Sequence, residues 1–500
     1  MFKKILIANR GEIAVRVIRT CREMGIATVA VHSEVDARAQ HVLAADEAVL
    51  LGGDEPAESY LNQEKIIEAA ISTGAQAIHP GYGFLAENGA FSRLCAEKGI
   101  KFIGPPGEVL EAAGDKIGAR KMADAAGVPV IPGNMEAGGD VSQLIQKAEE
   151  VGYPVMVKAA AGGGGKGMRL VNRREDLVEA LERAQSEAQS AFGDGSLYIE
   201  KCIQDPRHVE VQILADEHDD VLHLYERECS IQRRHQKIIE EAPSPAVDAF
   251  LRKRLTEAAA AVARAVGYRG AGTVEFLLEP GGSFYFMEVN ARLQVEHPVT
   301  ELILGLDLVE QQLHIAAGEK IALKQEDIKR RGHAIECRVY AEDPQASFMP
   351  SPGRIQVLQV TAGPGIRFDS GVECGDTVPV HYDPILGKLV AWGPDRERAA
   401  RRMARALSDM VILGVKTPIG FLLEIIESEP FRSGETSTGF LQKHFNEWRP
   451  QPERVRAALL GWMVAELEGD SEPQPTAAGI QAAEVYDPWA RLGHWRMGEE

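Results

Sequence analysis

The sequence predicts a chain of α/β and α+β character. An N-terminal doubly wound parallel-sheet domain comes first, then a small glycine-rich α+β unit, then a larger mixed α+β unit. Three observations point there. Apolar strand-like runs alternate with helical periodicity over roughly the first 110 residues, the order a parallel sheet requires. A glycine tract near residue 162 separates two short apolar strands. Beyond about residue 204, short strands recur with turn signals and helices between them.

In chain order, "KKILIAN" is a buried strand and "GEIAVRVIRTCREMG" a helix closed by Gly25, because glycine accepts the left-handed backbone that ends a helix. "ATVAVHS" is a second strand, Gln63–Ser72 a helix and "AQAIHP" a third strand. Such sheets bind ligands at the carboxyl ends of their strands, which puts "ANRGE" and "HPGYGFLAEN" at the binding edge. No GxGxxG follows the first strand, which argues against a dinucleotide site. We expect an N-terminal domain over 1–114 and a helical linker over 115–130, its helix from Lys116 to Gly127 preceding the Pro- and Gly-rich hinge "VPVIPG". Over 131–203, "YPVMVKAA" pairs with "GMRLV" across "AGGGGKG", and a helix and the strand "LYIEKCI" follow. The unit over 204–447 is strand-rich around 208–232, 270–295, 333–341 and 380–392. A tail over 448–500 holds the linker-like "GDSEPQPTAAG" and Trp448, Trp462, Trp489 and Trp495.

Composition excludes several classes of function. A 45% apolar and 26% charged chain of 500 residues has ample material for a core. With 55 basic and 74 acidic residues the net charge is −19, which disfavours nucleic acid and anionic membranes. An anionic substrate therefore needs local basic sites. The six cysteines form no CxxC pair, against both a disulfide framework and a zinc ribbon. No apolar run approaches the roughly 18 residues of a membrane span, and the N-terminus lacks a signal h-region, so a soluble cytoplasmic protein is expected.

Chemistry concentrates in three places. From Glu288 to Glu296 polar residues occupy every second position: Glu288, Asn290, Arg292, Gln294, Glu296. On a strand they share one face. The preceding "GTVEFLLEPGGSFYF" reads as the other arm of a hairpin with a four-residue loop, Pro280 to Ser283, which sets Glu275 opposite Glu288. Opposed carboxylates repel, and a hard cation between them removes the repulsion; Mg²⁺ takes one or two carboxylates plus substrate phosphates. The second place is the tract Gly162 to Gly167, with Gly163, Gly164, Gly165 and Lys166, whose backbone N–H groups suit phosphate oxygens. No GK[ST] leads into a helix, so it is not a Walker loop. The third is a scatter of basic and amide groups, Lys116, Lys158, Lys201, His208, Gln232, His235, Lys237 and Arg338, that in an acidic chain suits a polyphosphate and a second anion.

Taken together, "ILIANRGEIAVRVIR", "HPGYGFLAEN", "FIGP", "GDK", "GGGGKGMR", "HVEVQI", "RECSIQRRHQK", "GTVEF" and "EVNARLQVEHPVTE" resemble the biotin carboxylase family, in order and spacing along roughly residues 1–447. The resemblance implies an ATP-grasp fold with a mobile lid, and the ATP- and bicarbonate-dependent carboxylation of protein-borne biotin through carboxyphosphate. Carried over by position, it implies that Lys116, Lys158, Glu200, Lys201, His208, Gln232 and His235 contact ATP beneath the 162–167 loop. It puts Mg²⁺ (or Mn²⁺) on Glu275, Glu288 and Asn290. Bicarbonate falls to Lys237, Arg292, Gln294 and the Val295 backbone, the general base to Glu296, and biotin to Arg338 and Tyr82.

The family also supplies expectations about partners. Chains that carry their own biotin mark it with Met-Lys-Met, which this sequence lacks, so a separate biotin carboxyl carrier protein and a separate carboxyltransferase are expected, with a homodimer. "VHYDPILGKLVAW", "GVKTPIGFL" and "YDPWARLGHWRMGEE" are similar to α-subunits of acyl-CoA carboxylases, with the tail aromatics docking partners. A pyruvate-type carboxylase subunit or another ATP-grasp ligase is the alternative.

Overall fold

The computed structural model describes residues 1–134, 141–160, 168–450 and 460. The chain forms two compact units, Met1–Trp448 and Arg449–Glu500. Only Arg449, Pro450 and Leu460 of the second are described. The tail aromatics Trp462, Trp489 and Trp495 therefore lie outside the described residues, as do Gly163, Gly164, Gly165 and Lys166. Trp448, read from sequence as part of the tail, instead belongs to the first unit. Its ring meets Phe421 edge-on at 5.4 Å and its indole N–H donates to Glu424 at 2.8 Å.

Five parallel strands open the chain in the order Glu47–Gly52, Ala27–Ser33, Lys4–Ile7, Ala77–His79, Lys101–Phe102. Lys4–Ile7 is central and the chain winds away from it on both sides. A crevice therefore forms at the carboxyl ends of Lys4–Ile7 and Ala77–His79, where "ANRGE" and "HPGYG" lie. The central strand keeps Ile5, Leu6 and Ile7 out of water altogether, as a two-sided parallel sheet demands. Helix Gly11–Glu23 runs between the first two strands, and Gly25 follows at φ +70°. Asn62, Asn88 and Asp115 each accept backbone N–H groups that begin a helix. The edge strand Glu47–Gly52, which the sequence reading did not mark, is apolar over Ala48–Leu51 yet buries Leu51 and leaves Leu50 exposed, and the other edge strand, Lys101–Phe102, is only two residues long.

The next sheet has three antiparallel strands in the order Met168–Val171, Val155–Ala159, Leu197–Lys201. Val155 pairs with Val171 and Met156 with Glu200. Helices Val141–Val151 and Leu177–Phe192 cover it with Leu144, Ala148, Leu181, Ala184 and Ala188.

The third sheet is antiparallel, eight strands in the order Phe284–Asn290, Gly270–Leu278, Arg207–Ala215, Val221–Arg233, Gln236–Ala242, His333–Tyr340, Ile385–Gly393, Ile366–Ser370. On His333–Tyr340 the pleat divides two environments. Ile335, Cys337 and Val339 join the core with Ala399, Met403 and Leu407 of helix Arg396–Asp409. Glu336 and Arg338 face the other way. Among the described residues no helix is long and apolar enough to cross a membrane.

Candidate active site

The carboxylates of Glu275 and Glu288 do face each other across the hairpin, though by a different route from the one the sequence suggests. The tip pairs Leu278 with Phe284 and Phe276 with Phe286, one residue away from the expected register. A β-bulge then admits Met287 as an extra residue and restores the Glu275–Glu288 pairing. Glu275 is buried and Glu288 is about one-third exposed, at 33%. Three basic groups already answer this negative charge: His208 Nε2 and Lys237 Nζ each lie 2.8 Å from Glu275, and Lys116 Nζ lies 3.3 Å from Glu288. Burial pushes the Glu275 carboxyl up, but Lys237 and His208 overcome it and hold it well below the usual range. Glu275 is thus held ionised, and with Glu288 it offers an oxygen-donor pair open on the Glu288 side, chemistry that suits a hard divalent cation.

Beyond Asn290 the alternating pattern is not a strand, contrary to the sequence reading. Strand Phe284–Asn290 ends there and residues 291–296 form a loop before helix His297–Leu304. The reason is Glu87, at the end of "HPGYGFLAEN". Its carboxylate accepts the Ala291 N–H at 3.1 Å, a backbone donor that a continued ladder could have used, and the Arg292 side-chain Nε–H at 3.0 Å. The loop still gathers the expected residues. Arg292 donates to Gln294 at 2.8 Å and to Asn290 at 3.2 Å, and Gln294 donates to Thr273 at 3.0 Å.

Glu296 is fully buried between two cations, 2.7 Å from Lys237 and 2.9 Å from Arg338. Burial and the nearby Glu210 carboxylate push its pKa up; Lys237, Arg338 and Arg227 outweigh them, so it lies below the ordinary value. Lys237 also contacts Glu210 at 2.6 Å; burial lowers its pKa, but the Cys229 thiol and its three carboxylate partners together draw it well above normal. Arg338 Nε donates to Glu240 at 2.6 Å. Glu210 and Glu240 escaped the sequence reading. The signal for Glu210 was there: His208, Glu210 and Gln212 alternate along "HVEVQI", so one face of strand Arg207–Ala215 is polar.

Lys158 and Arg120 both meet Glu200, Arg120 at 2.8 Å. Lys201 points elsewhere and ties the Gly152 carbonyl at 2.8 Å. Gln232 is half-buried opposite Lys237, and beyond it the hairpin turns through Arg234 and His235 at φ +48° and +67°. Two consecutive non-glycine residues in that region carry strain of about 1–3 kcal/mol each. Partial burial, with Lys158 and His208 adding like charge, lowers the His235 pKa.

On the opposite side, Asn9 Nδ2 donates to the carbonyls of Pro80 at 2.6 Å and Tyr82 at 2.8 Å. Gly81, at φ +62°, is needed here, since a Cβ would come 2.8 Å from Asn9 Nδ2. Tyr82 donates its hydroxyl to Glu12, and Lys388 Nζ lies 5.8 Å from the Tyr82 ring centre. Glu12 and Lys388 were not singled out in the sequence.

Comparison with known proteins agrees with this geometry. Residues 1–110 match the family described as biotin carboxylase, N-terminal domain, and residues 336–443 its C-terminal domain. Residues 115–324 match the ATP binding domain of the carbamoyl-phosphate synthase L chain. The biotin carboxylase of Nostoc sp. is 53% identical over 442 residues, covering 88% of this chain and 99% of that one. A pyruvate carboxylase subunit of Methanothermobacter thermautotrophicus is 53% identical over 483 residues, covering 97% and 98%. Among solved structures, the biotin carboxylase domain dimer of Hydrogenobacter thermophilus 2-oxoglutarate carboxylase, with MgADP, ADP and bicarbonate, superposes with a TM-score of 0.86 at 48% identity, covering 89% of this chain and 98% of that one. The Campylobacter jejuni biotin carboxylase bound to β,γ-ATP gives 0.86 at 47%, covering 89% and 99%. The chain is an ATP-grasp protein and belongs to the biotin carboxylase family.

Proposed function

We propose that this biotin carboxylase uses ATP and bicarbonate to carboxylate biotin borne on a carrier protein, the first half-reaction of a biotin-dependent carboxylase. The observation that carries the reading is Glu296: a fully buried carboxylate kept ionised by Lys237 and Arg338, beside a second carboxylate pair suited to a metal.

Glu275 and Glu288, with Asn290, are the residues that would hold Mg²⁺ or Mn²⁺. When bound, the ion would neutralise charge on the transferring phosphoryl group. Lys116, Lys158, Glu200, His208, Gln232 and His235 line the nucleotide side, while the Lys201 ammonium is engaged by the Gly152 carbonyl, and the unit over 131–203 serves as the lid that excludes water. Arg292, Gln294, Lys237 and the Val295 backbone hold bicarbonate. Glu296 takes its proton, a bicarbonate oxygen attacks the γ-phosphorus, and ADP leaves. Carboxyphosphate then gives CO₂ and phosphate; the phosphate removes the N1 proton of biotin, and N1 attacks CO₂. Arg338 stabilises the negative charge that builds on the biotin oxygen, with Tyr82 beside the ring. Exclusion of water matters because carboxyphosphate hydrolyses.

The relatives named above include subunits of pyruvate and 2-oxoglutarate carboxylases. The rice methylcrotonoyl-CoA carboxylase α-subunit is also 49% identical over 483 residues. The acceptor is accordingly chosen by the partner carboxyltransferase rather than by these residues. A homodimer is part of the proposal, in line with the dimer described for the Hydrogenobacter domain.

Phosphate release from Mg-ATP, with and without bicarbonate and free biotin, tests the reading. Biotin stimulation that requires bicarbonate is expected. ATP turnover indifferent to both would point to another ATP-grasp ligase.

A further inference from the structure

Lys388 lies on strand Ile385–Gly393 directly opposite Arg338, and it is fully buried. Sealing an ammonium away from water costs several kcal/mol unless the partners compensate. Its partners are specific. Nζ donates to the Val295 carbonyl at 3.0 Å and lies 3.1 Å from a Glu12 oxygen whose side chain also accepts the Tyr82 hydroxyl. Glu12 sits in the first turn of helix Gly11–Glu23, also fully buried. The seat is tight. Gly371, beside that strand, approaches so closely that a Cβ would come 2.4 Å from the Glu12 N–H nitrogen.

These contacts have one target in common. The loop 291–296 has left the sheet, so its backbone is held from outside: Glu87 grips the Ala291 N–H and Lys388 grips the Val295 carbonyl. That carbonyl belongs to the peptide joining Val295 to Glu296. Its orientation therefore sets where the Glu296 backbone begins, and Glu12 and Tyr82 tie the same ammonium to the N-terminal domain.

We propose that Lys388, braced by Glu12 and Tyr82, is a positioning residue that fixes the Val295–Glu296 peptide against the biotin side of the site. The proposal rests on the reading that residues 292–296 handle bicarbonate. Lys388 touches no reacting atom. Its effect comes from holding a base and a binding loop within the tolerance that such steps require.

The test is steady-state ATP turnover in the full-length protein for Lys388→Met, Lys388→Arg and Glu12→Gln, with thermal melting of each. For Lys388→Met we expect the bicarbonate KM to rise and kcat to fall, each by about tenfold or more, while the Mg-ATP KM stays within about twofold. Lys388→Arg, which keeps a cation and its donors, should recover a substantial part of the loss. Glu12→Gln should raise the bicarbonate KM by about threefold or more with an unchanged Mg-ATP KM. If Lys388→Met fails to fold, the other two variants carry the same decision. An unchanged bicarbonate KM in the folded variants overturns the assignment, and so does a parallel rise in both KM values. A wild-type protein whose ATP turnover ignores bicarbonate would instead overturn the function reading.

Discussion

Glutamine at position 296 keeps the size of the side chain and removes one buried negative charge. The structure sets both consequences. Lys237 retains Glu210 at 2.6 Å and Glu275 at 2.8 Å, and Arg338 retains Glu240 at 2.6 Å, so neither cation is left alone. The folding cost should then be about 1–3 kcal/mol, below the 3–5 kcal/mol typical of an orphaned buried charge. Catalysis should suffer far more, because a positioned general base contributes about 10²–10⁴-fold, or roughly 3–5 kcal/mol of barrier. The measurements are bicarbonate-dependent phosphate release and, separately, Mg-ATP affinity, on which Glu288 and Lys116 rather than Glu296 act. The pH dependence follows as well. The Glu296 pKa is lowered when folded, so its contribution to stability is complete above the unfolded value near 4.5 and lost only as pH falls through the folded one. Any acid limb of activity near neutrality must belong to another group, and E296Q should not move it. Turnover above about one-tenth of wild type would refute the base assignment, since even the low end of that range predicts about a hundredfold loss. Lost nucleotide binding would mean that Glu296 is misplaced.

Three further outcomes are expected. Glu288→Lys places two cations at 3.3 Å where an ion pair now stands; Mg-ATP turnover should fall by about a hundredfold or more with little change in Tm, because the side chain is one-third exposed, and full activity would sink the metal assignment. Burial lowers the His41 pKa to about 4 from 6.5, so the folded state keeps it neutral while the unfolded chain takes a proton. Stability should drop by about 3 kcal/mol as pH falls from 6.5 to 4, and urea melts of His41→Gln should show a shallower acid limb by that amount; an identical pH slope would refute this. Gly81→Ala forces a Cβ towards Asn9 at a left-handed position and should cost about 1–3 kcal/mol in denaturant melts while raising the KM for free biotin, since Tyr82 follows directly; a neutral substitution would contradict the need for glycine.

Much of this protein was legible before any fold was known. Strand Ala27–Ser33 has the bounds its apolar run suggests, and a hairpin count sets Glu275 opposite Glu288, a pairing the fold reaches through a tip register one residue off and a compensating bulge. Both are local properties: periodicity states which side of the backbone each residue occupies, and a turn states which residues meet. Local reasoning failed where distant groups competed for the backbone. The alternation from Glu288 to Glu296 promised one strand, but Glu87, some 204 residues earlier than Ala291, takes the N–H that would have continued it. The same limit hid Glu12 and Lys388, separated by most of the chain yet 3.1 Å apart. A charge in sequence is only a candidate. Whether it stays ionised, takes up a proton or holds a loop depends on which opposite charges and dipoles surround it once water is gone, and that company is assembled only by the tertiary fold.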